Sequence, residues 1–212
     1  MKKSLSLILL FLLLDFFAVN AQVSGPKKSP ITAIPDLELL DINGKLVKIK
    51  ELTKGKVLFI DNWFIPCPPC FIEMKMLHNL HAKYAGNKHF CFITISRTDR
   101  EIVKKFIAKD RSLKKYVDQY QFLSTLDSFK LPVYFLPGCD AKVEIAGKMV
   151  HGLQPSNPTK CADNILGFDG YPAVFIFDKQ GKLIFNKVGY DGKDEANMAE
   201  IENIIKPALA AN

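Results

Sequence analysis

The residue order predicts an α/β protein with a central mixed β-sheet flanked by helices, and three observations predict it. Apolar runs at 56–64 and 89–95 each lead into a helix-patterned segment, and strand–helix–strand–helix order requires parallel pairing through crossovers. Farther on, the runs 172–177 and 183–188 are joined by Asp178-Lys179-Gln180-Gly181, a link short enough to make them an antiparallel hairpin. Near the start, Asn43-Gly44 between Leu37–Leu40 and Leu46–Ile49 signals an N-terminal β-hairpin ahead of the main sheet.

The helices follow from periodicity and punctuation. From Pro68 to about Tyr84, Met74, Leu77, Leu80 and Tyr84 recur every three or four residues, the stripe of a helix packed on a sheet. His78 and His81 fall beside that stripe and are expected to be satisfied or exposed rather than metal ligands. Thr98-Asp99-Arg100-Glu101 reads as a capping box, with Ile102, Val103, Phe106 and Ile107 on one face of the helix it starts. Leu113, Tyr116, Val117 and Tyr120 suggest a further turn or two. A last helix is expected from about Asp194 to Ile205, with Pro207 ending or kinking it. Residues 137–170 form an extended insertion before Pro172, and long connections beside a site are often functional.

Met1-Lys2-Lys3, the apolar run Leu5 to Leu14 and the small residues to Ala21 have the layout of a secretory signal peptide. The expected organisation is a signal segment at 1–21, a linker at 22–35 and one domain at 36–212, in an exported, periplasmic protein. Left uncleaved, the same segment would serve as a membrane anchor. Cleavage after Ala21 removes Lys2, Lys3 and Asp15 and takes the formal charge from +7 to +6. That excess is spread along the chain without nucleic-acid motifs, so a nucleic-acid partner is not expected, and a monomer is.

Chemistry concentrates at Cys67-Pro68-Pro69-Cys70, between a buried strand and a helix start. Two cysteines at this spacing close a small disulfide, and the helix N-terminus lowers the pKa of the first thiol. The same spacing forms half of a zinc site, but Cys91, Cys139 and Cys161 are scattered and offer no second pair, so no metal is expected. Asp61 lies six residues before Cys67 inside the apolar strand, where desolvation raises a carboxyl pKa towards neutrality and suits it to proton transfer; the plainer alternative is a strand-end cap.

Together, the strand with Asp61 and Trp63, the CxxC, the helix Glu73-Met74-Lys75-Met76-Leu77 and the later Gly170-Tyr171-Pro172-Ala173-Val174-Phe175-Ile176-Phe177-Asp178 resemble the thioredoxin superfamily. Its exported TlpA/ResA-like thiol-disulfide oxidoreductases are the branch the chain is most similar to, over about residues 36 to 206. The resemblance implies a thioredoxin-like fold without a cofactor. It implies Cys67 as the attacking cysteine, Cys70 as the resolving one, Asp61 as the buried acid and Pro172 as a cis-proline. Tyr171 then stands where the backbone pairs with a bound substrate strand, and Trp63 and Pro66 are expected beside it at the substrate-facing surface. The substrates implied are protein disulfides, with an upstream membrane dithiol donor. Pro66 stands where the family usually has Trp, and Lys75 where the TlpA-like branch often has Pro.

Pro68 and Pro69 lack N–H groups, so fewer donors of the first helical turn reach Cys67. A modestly lowered Cys67 pKa and a reducing couple are therefore expected. Cys91, inside an apolar strand, is expected to be a buried, inert thiol. Cys139 and Cys161 flank a Gly-, Pro-, Asn- and Lys-rich segment and are expected to join and brace it, the alternative being separate thiols. Two rival functions remain. In a peroxiredoxin-like peroxidase, Thr or Ser precedes the reactive cysteine by three residues, where this chain has Phe64. A redoxin-fold copper chaperone would need Cys67, Cys70 and a distant histidine such as His151.

Overall fold

A seven-stranded mixed sheet runs through the centre of the protein. The computed structural model describes residues 31–113, 129–139, 144–145, 148–149, 155 and 157–211. The expected signal segment, the continuation at Tyr116, Val117 and Tyr120, and His151 lie outside these residues. In chain order the strands are β1 (Glu38–Asp41), β2 (Leu46–Lys48), β3 (Val57–Trp63), β4 (Phe90–Ser96), β5 (Val133–Phe135), β6 (Glu144–Ile145), β7 (Lys148–Met149), β8 (Ala173–Phe177) and β9 (Leu183–Val188). The α-helices are α1 (Ile49–Thr53), α2 (Pro68–Tyr84), α3 (Arg100–Ile107), α4 (Ala162–Leu166) and α5 (Asp194–Ala210).

The sheet order is β2-β1-β5-β4-β3-β8-β9, with β6 and β7 forming a separate small hairpin. β3, β4 and β5 are parallel neighbours, and β8 joins β3 antiparallel with Asp61 opposite Val174. The N-terminal hairpin does not stand ahead of the sheet but completes one edge of it, because β1 pairs with β5. Its turn is the expected Asn43-Gly44: Gly44 takes φ +87°, and Asp41 Oδ1 accepts the N–H groups of Asn43 and Lys45. At the opposite edge Ala33 bridges to Lys182, and Leu183 N–H donates to the Thr32 carbonyl at 2.8 Å. The last residues of the stretch read as linker therefore pack on the domain.

Because strand side chains alternate, each strand feeds two cores. Leu58 and Ile60 join Phe175, Phe177, Cys139, Cys161 and Leu166 on the face carrying α4. Val57 and Phe59 join Met76, Leu77, Leu80, Ile201 and Ile205 on the face carrying α2 and α5. A third cluster, with Trp63, Phe71, Met74, Ile102 and Phe106 packed around the two cysteines of the CxxC, closes the end from which α2 leaves.

Two boundaries differ from expectation. Asp99, rather than Thr98, caps α3, its carboxylate accepting from Glu101 and Ile102 N–H. Asp competes well for the position, and the Thr98 hydroxyl is taken by the Ile65 N–H at 2.7 Å. Helix α5 continues through Pro207 to Ala210. Proline removes one N–H bond and crowds the carbonyl four residues back, but both Pro207 and Asn203, whose carbonyl loses that donor, are exposed to solvent, where water can take up the freed carbonyl. Strand β5 and helix α1 were not expected, since runs of three and five residues carry little periodic signal. Cys91 is half-buried rather than buried, and what burial it has pushes its thiol pKa up.

Candidate redox site

Cys67 is the N-cap of α2, with Pro68 and Pro69 as its first two helical residues. Neither proline has an N–H to offer, so the first amide available is that of Cys70, which donates to Cys67 Sγ at 3.4 Å. Cys67 and Cys70 are joined as a disulfide, Cα atoms 5.3 Å apart, and each is almost wholly covered. The covering groups differ in polarity on the two sides of the bond.

Outward, the rim is apolar. Pro68 and Ile72 are exposed, and Phe64, Pro66, Pro69 and Tyr171 are half-buried. The Phe64 ring meets the Tyr171 ring edge-on at 5.0 Å between centroids. The Ile65–Pro66 and Tyr171–Pro172 peptide bonds are both cis. Since Ala173 pairs with Asn62, Pro172 stands at the level of Trp63, at the sheet end from which α2 departs. Trp63 itself is not at the partner-facing surface: it is 1% exposed, its indole N–H bonds Thr94 Oγ1, and its ring packs on Phe106 and Phe129.

Inward, the wall is acidic. Alternation along β3 sends Asp61 to the same face as Phe59 and Trp63, under α2, where it is 1% exposed. One of its carboxylate oxygens has no hydrogen-bond partner among the described residues. Burial pushes its pKa up to about 8, against a small opposing effect of the Asn62 N–H. Glu73 reaches the same layer from α2, three residues beyond Cys70, and also holds an unpartnered oxygen among the described residues. Burial, then the Asp61 charge, drives its pKa well above the carboxylate range, while Lys187 opposes and Asp194 adds to the rise. Lys187 lies on the same face because it pairs with Val174, which pairs with Asp61.

Glu73 is the site residue the sequence reading missed. A charge in a helix ordinarily marks a solvated face; the available signal was its i+3 spacing from Cys70, beside Met74 and Leu77 of the apolar stripe. Asn62 was also missed: wholly buried, its amide donates to the Ala173 carbonyl at 2.8 Å and ties β3 to β8 next to Pro172. His78 takes no part in the site, since Nδ1 bonds the Met74 carbonyl and Nε2 accepts the Lys130 N–H.

A second disulfide joins Cys139, just after β5, to Cys161, the N-cap of α4, with Cα atoms 5.0 Å apart. It is buried in the face opposite α2 and fixes the two ends of the insertion.

A mixed sheet of this order, with a CxxC disulfide at the start of the helix that follows its central strand, defines a thioredoxin-fold redox protein. The Redoxin family model matches residues 30–205. The chain is 27% identical over 180 residues to thiol-disulfide oxidoreductase ResA of Bacillus thuringiensis (strain Al Hakam), covering 85% of this chain and 79% of that protein. It is 32% identical over 131 residues to a ResA of Bacillus cereus, covering 60% of this chain and 72% of that protein. A crystal structure of a candidate thiol:disulfide interchange protein DsbE from Chlorobium tepidum shares the fold, with TM-score 0.53 at 23% identity over 87% of this chain and 99% of that one. The chain belongs to the Redoxin family and is a ResA-like thiol-disulfide oxidoreductase.

Proposed function

We propose that this oxidoreductase acts outside the cytoplasm as a reductant of protein disulfides. The observation that carries the direction is the first turn of α2, where two prolines replace amides that could reach Cys67 Sγ and the Cys70 N–H donates to it. A sparsely stabilised thiolate gives up electrons readily, since strong oxidants are those whose reduced form is unusually stabilised.

In the reaction, Cys67 thiolate attacks one sulfur of a substrate disulfide, forming a mixed disulfide and releasing the other sulfur as a thiolate. Asp61 takes the proton of Cys70 through a bridging water, and the Cys70 thiolate attacks Cys67 Sγ. The second substrate sulfur leaves, and the enzyme is left with the Cys67–Cys70 disulfide seen here. Substrate gains two electrons and two protons, and a membrane-embedded dithiol donor restores them to the enzyme. The apolar rim of Phe64, Pro66, Ile72 and Tyr171 suits an extended polypeptide, and Tyr171 with cis-Pro172 offers it a backbone edge. Export rests on the signal-like residues 1–21 and on the buried Cys139–Cys161 disulfide, since structural disulfides persist mainly in oxidising compartments.

Trapping tests the reading. Incubated reduced with insulin, a Cys70→Ser variant should accumulate a mixed disulfide through Cys67, and a Cys67→Ser variant should accumulate none. Mixed disulfide on Cys70 instead would reverse the assigned roles.

A further inference from the structure

Beyond the cysteine pair, one chain of contacts links the stapled insertion to the partner-facing edge. Arg97 follows β4, and its N–H donates to the Trp63 carbonyl at 3.0 Å, placing it beside the CxxC end of the sheet. Its Nη1 meets Asp163 Oδ2 at 3.2 Å, and both side chains are only about a fifth exposed, 21% and 17%. A pair so withdrawn from solvent is screened less than a surface pair and holds its geometry better.

Asp163 reaches Tyr171 through α4. Its carboxylate anchors that helix to Arg97 at the end of β4. Its carbonyl accepts the Phe168 N–H at 2.9 Å, and the Phe168 ring meets Tyr171 edge-on at 5.1 Å. The Tyr171 ring thus meets both Phe168 and Phe64, three residues before Cys67, edge-on. Asp163 is held in turn by α4, whose N-cap Cys161 is wholly buried and bonded to Cys139.

We propose that Asp163 is a positioning residue for disulfide exchange: by anchoring α4 to Arg97 it holds Phe168 against Tyr171 at the edge that receives the substrate strand, and the Cys139–Cys161 disulfide keeps it there. This rests on the reading of Cys67–Cys70 as the exchanging pair and of Tyr171–Pro172 as the docking edge. It gives the insertion a role in partner affinity rather than in the chemical step.

The test compares Asp163→Asn and Asp163→Glu with the full-length wild-type enzyme on two substrates, with dithiothreitol returning the enzyme to its dithiol after each turnover and the uncatalysed rate subtracted. Insulin presents a polypeptide to the edge, and hydroxyethyl disulfide has no backbone to dock. Asp163→Asn should raise KM for insulin about five-fold, the worth of one partly shielded ion pair. Its kcat, its rate on hydroxyethyl disulfide and the Cys67–Cys70 reduction potential should be unchanged, and Asp163→Glu should recover most of the loss. A Cys139→Ala/Cys161→Ala variant should show the same KM effect, with little added by Asp163→Asn. An unchanged KM in Asp163→Asn would overturn the proposal, as would equal losses on both substrates or no recovery in Asp163→Glu. A wild-type enzyme inactive on both substrates would overturn the underlying reading instead.

Discussion

Asp61 and Glu73 cannot both be ionised in the buried layer between β3 and α2 without cost, and the Asp61 charge raises the tendency of Glu73 to keep its proton. For Asp61 the sign is clear. With a folded pKa near 8 against 3.8 unfolded, the native state holds a proton that the unfolded chain has lost across that window. Its stabilising share is full below about pH 4 and is lost as pH rises through 8. Asp61→Asn should therefore flatten the pH dependence of stability by up to about 1.4 kcal/mol per pH unit across the window. Urea titrations of the oxidised protein at intervals of pH would show it. The same substitution should slow release of the mixed disulfide in a single-turnover experiment, by up to about 100-fold above pH 8, where Asp61 is ionised and can accept a proton, and by less at pH 7. The sequence showed Asp61 because a carboxylate inside an apolar run is conspicuous. Glu73 was hidden because a helix displays charge all along its solvent face, and only the packing of α2 on β3 tells which charges face inward.

At the scale of elements, α2 was legible almost to its ends, since its prolines, N-cap cysteine and apolar stripe all act locally. The start of α3 was misread by one residue for a reason that lies in the tertiary structure. Thr98 is withdrawn from capping by the loop that carries the CxxC: Ile65 N–H donates to its hydroxyl, and Thr98 N–H donates to Ser96 Oγ. Thr98→Val should strand the buried Ile65 N–H and destabilise the protein by about 1–3 kcal/mol, measured by chemical denaturation. Asp99→Ala, by contrast, should cost only about 1 kcal/mol, the loss of one N-cap. Sequence alone ranks these two the other way, with Thr98 as the cap and Asp99 as an ordinary first-turn residue.

Across the whole molecule, the two disulfides divide the work. Cys67–Cys70 closes a ring too short to restrain the chain, whereas Cys139–Cys161 spans 22 residues and ties β5 to α4. Removing the second by paired alanine substitution should lower stability by about 3 kcal/mol in the chain-entropy account, while leaving the sheet and the CxxC in place. The parallel centre, the C-terminal hairpin and the helical layers could all be foreseen from hydrophobic period and turn chemistry. Attachment of the N-terminal hairpin through β1 and β5 could not, because that pairing joins residues far apart in sequence and leaves no local mark.

The proposed reductant role rests on the first turn of α2, where two prolines leave the Cys70 N–H as the amide donor to Cys67 Sγ. Equilibration of the Cys67–Cys70 couple against glutathione and dithiothreitol buffers, with Cys91, Cys139 and Cys161 followed by thiol labelling, measures its reduction potential. A value near that of thioredoxin, roughly −270 mV, is the predicted result; a value near roughly −120 mV, that of a dedicated oxidant, would contradict it.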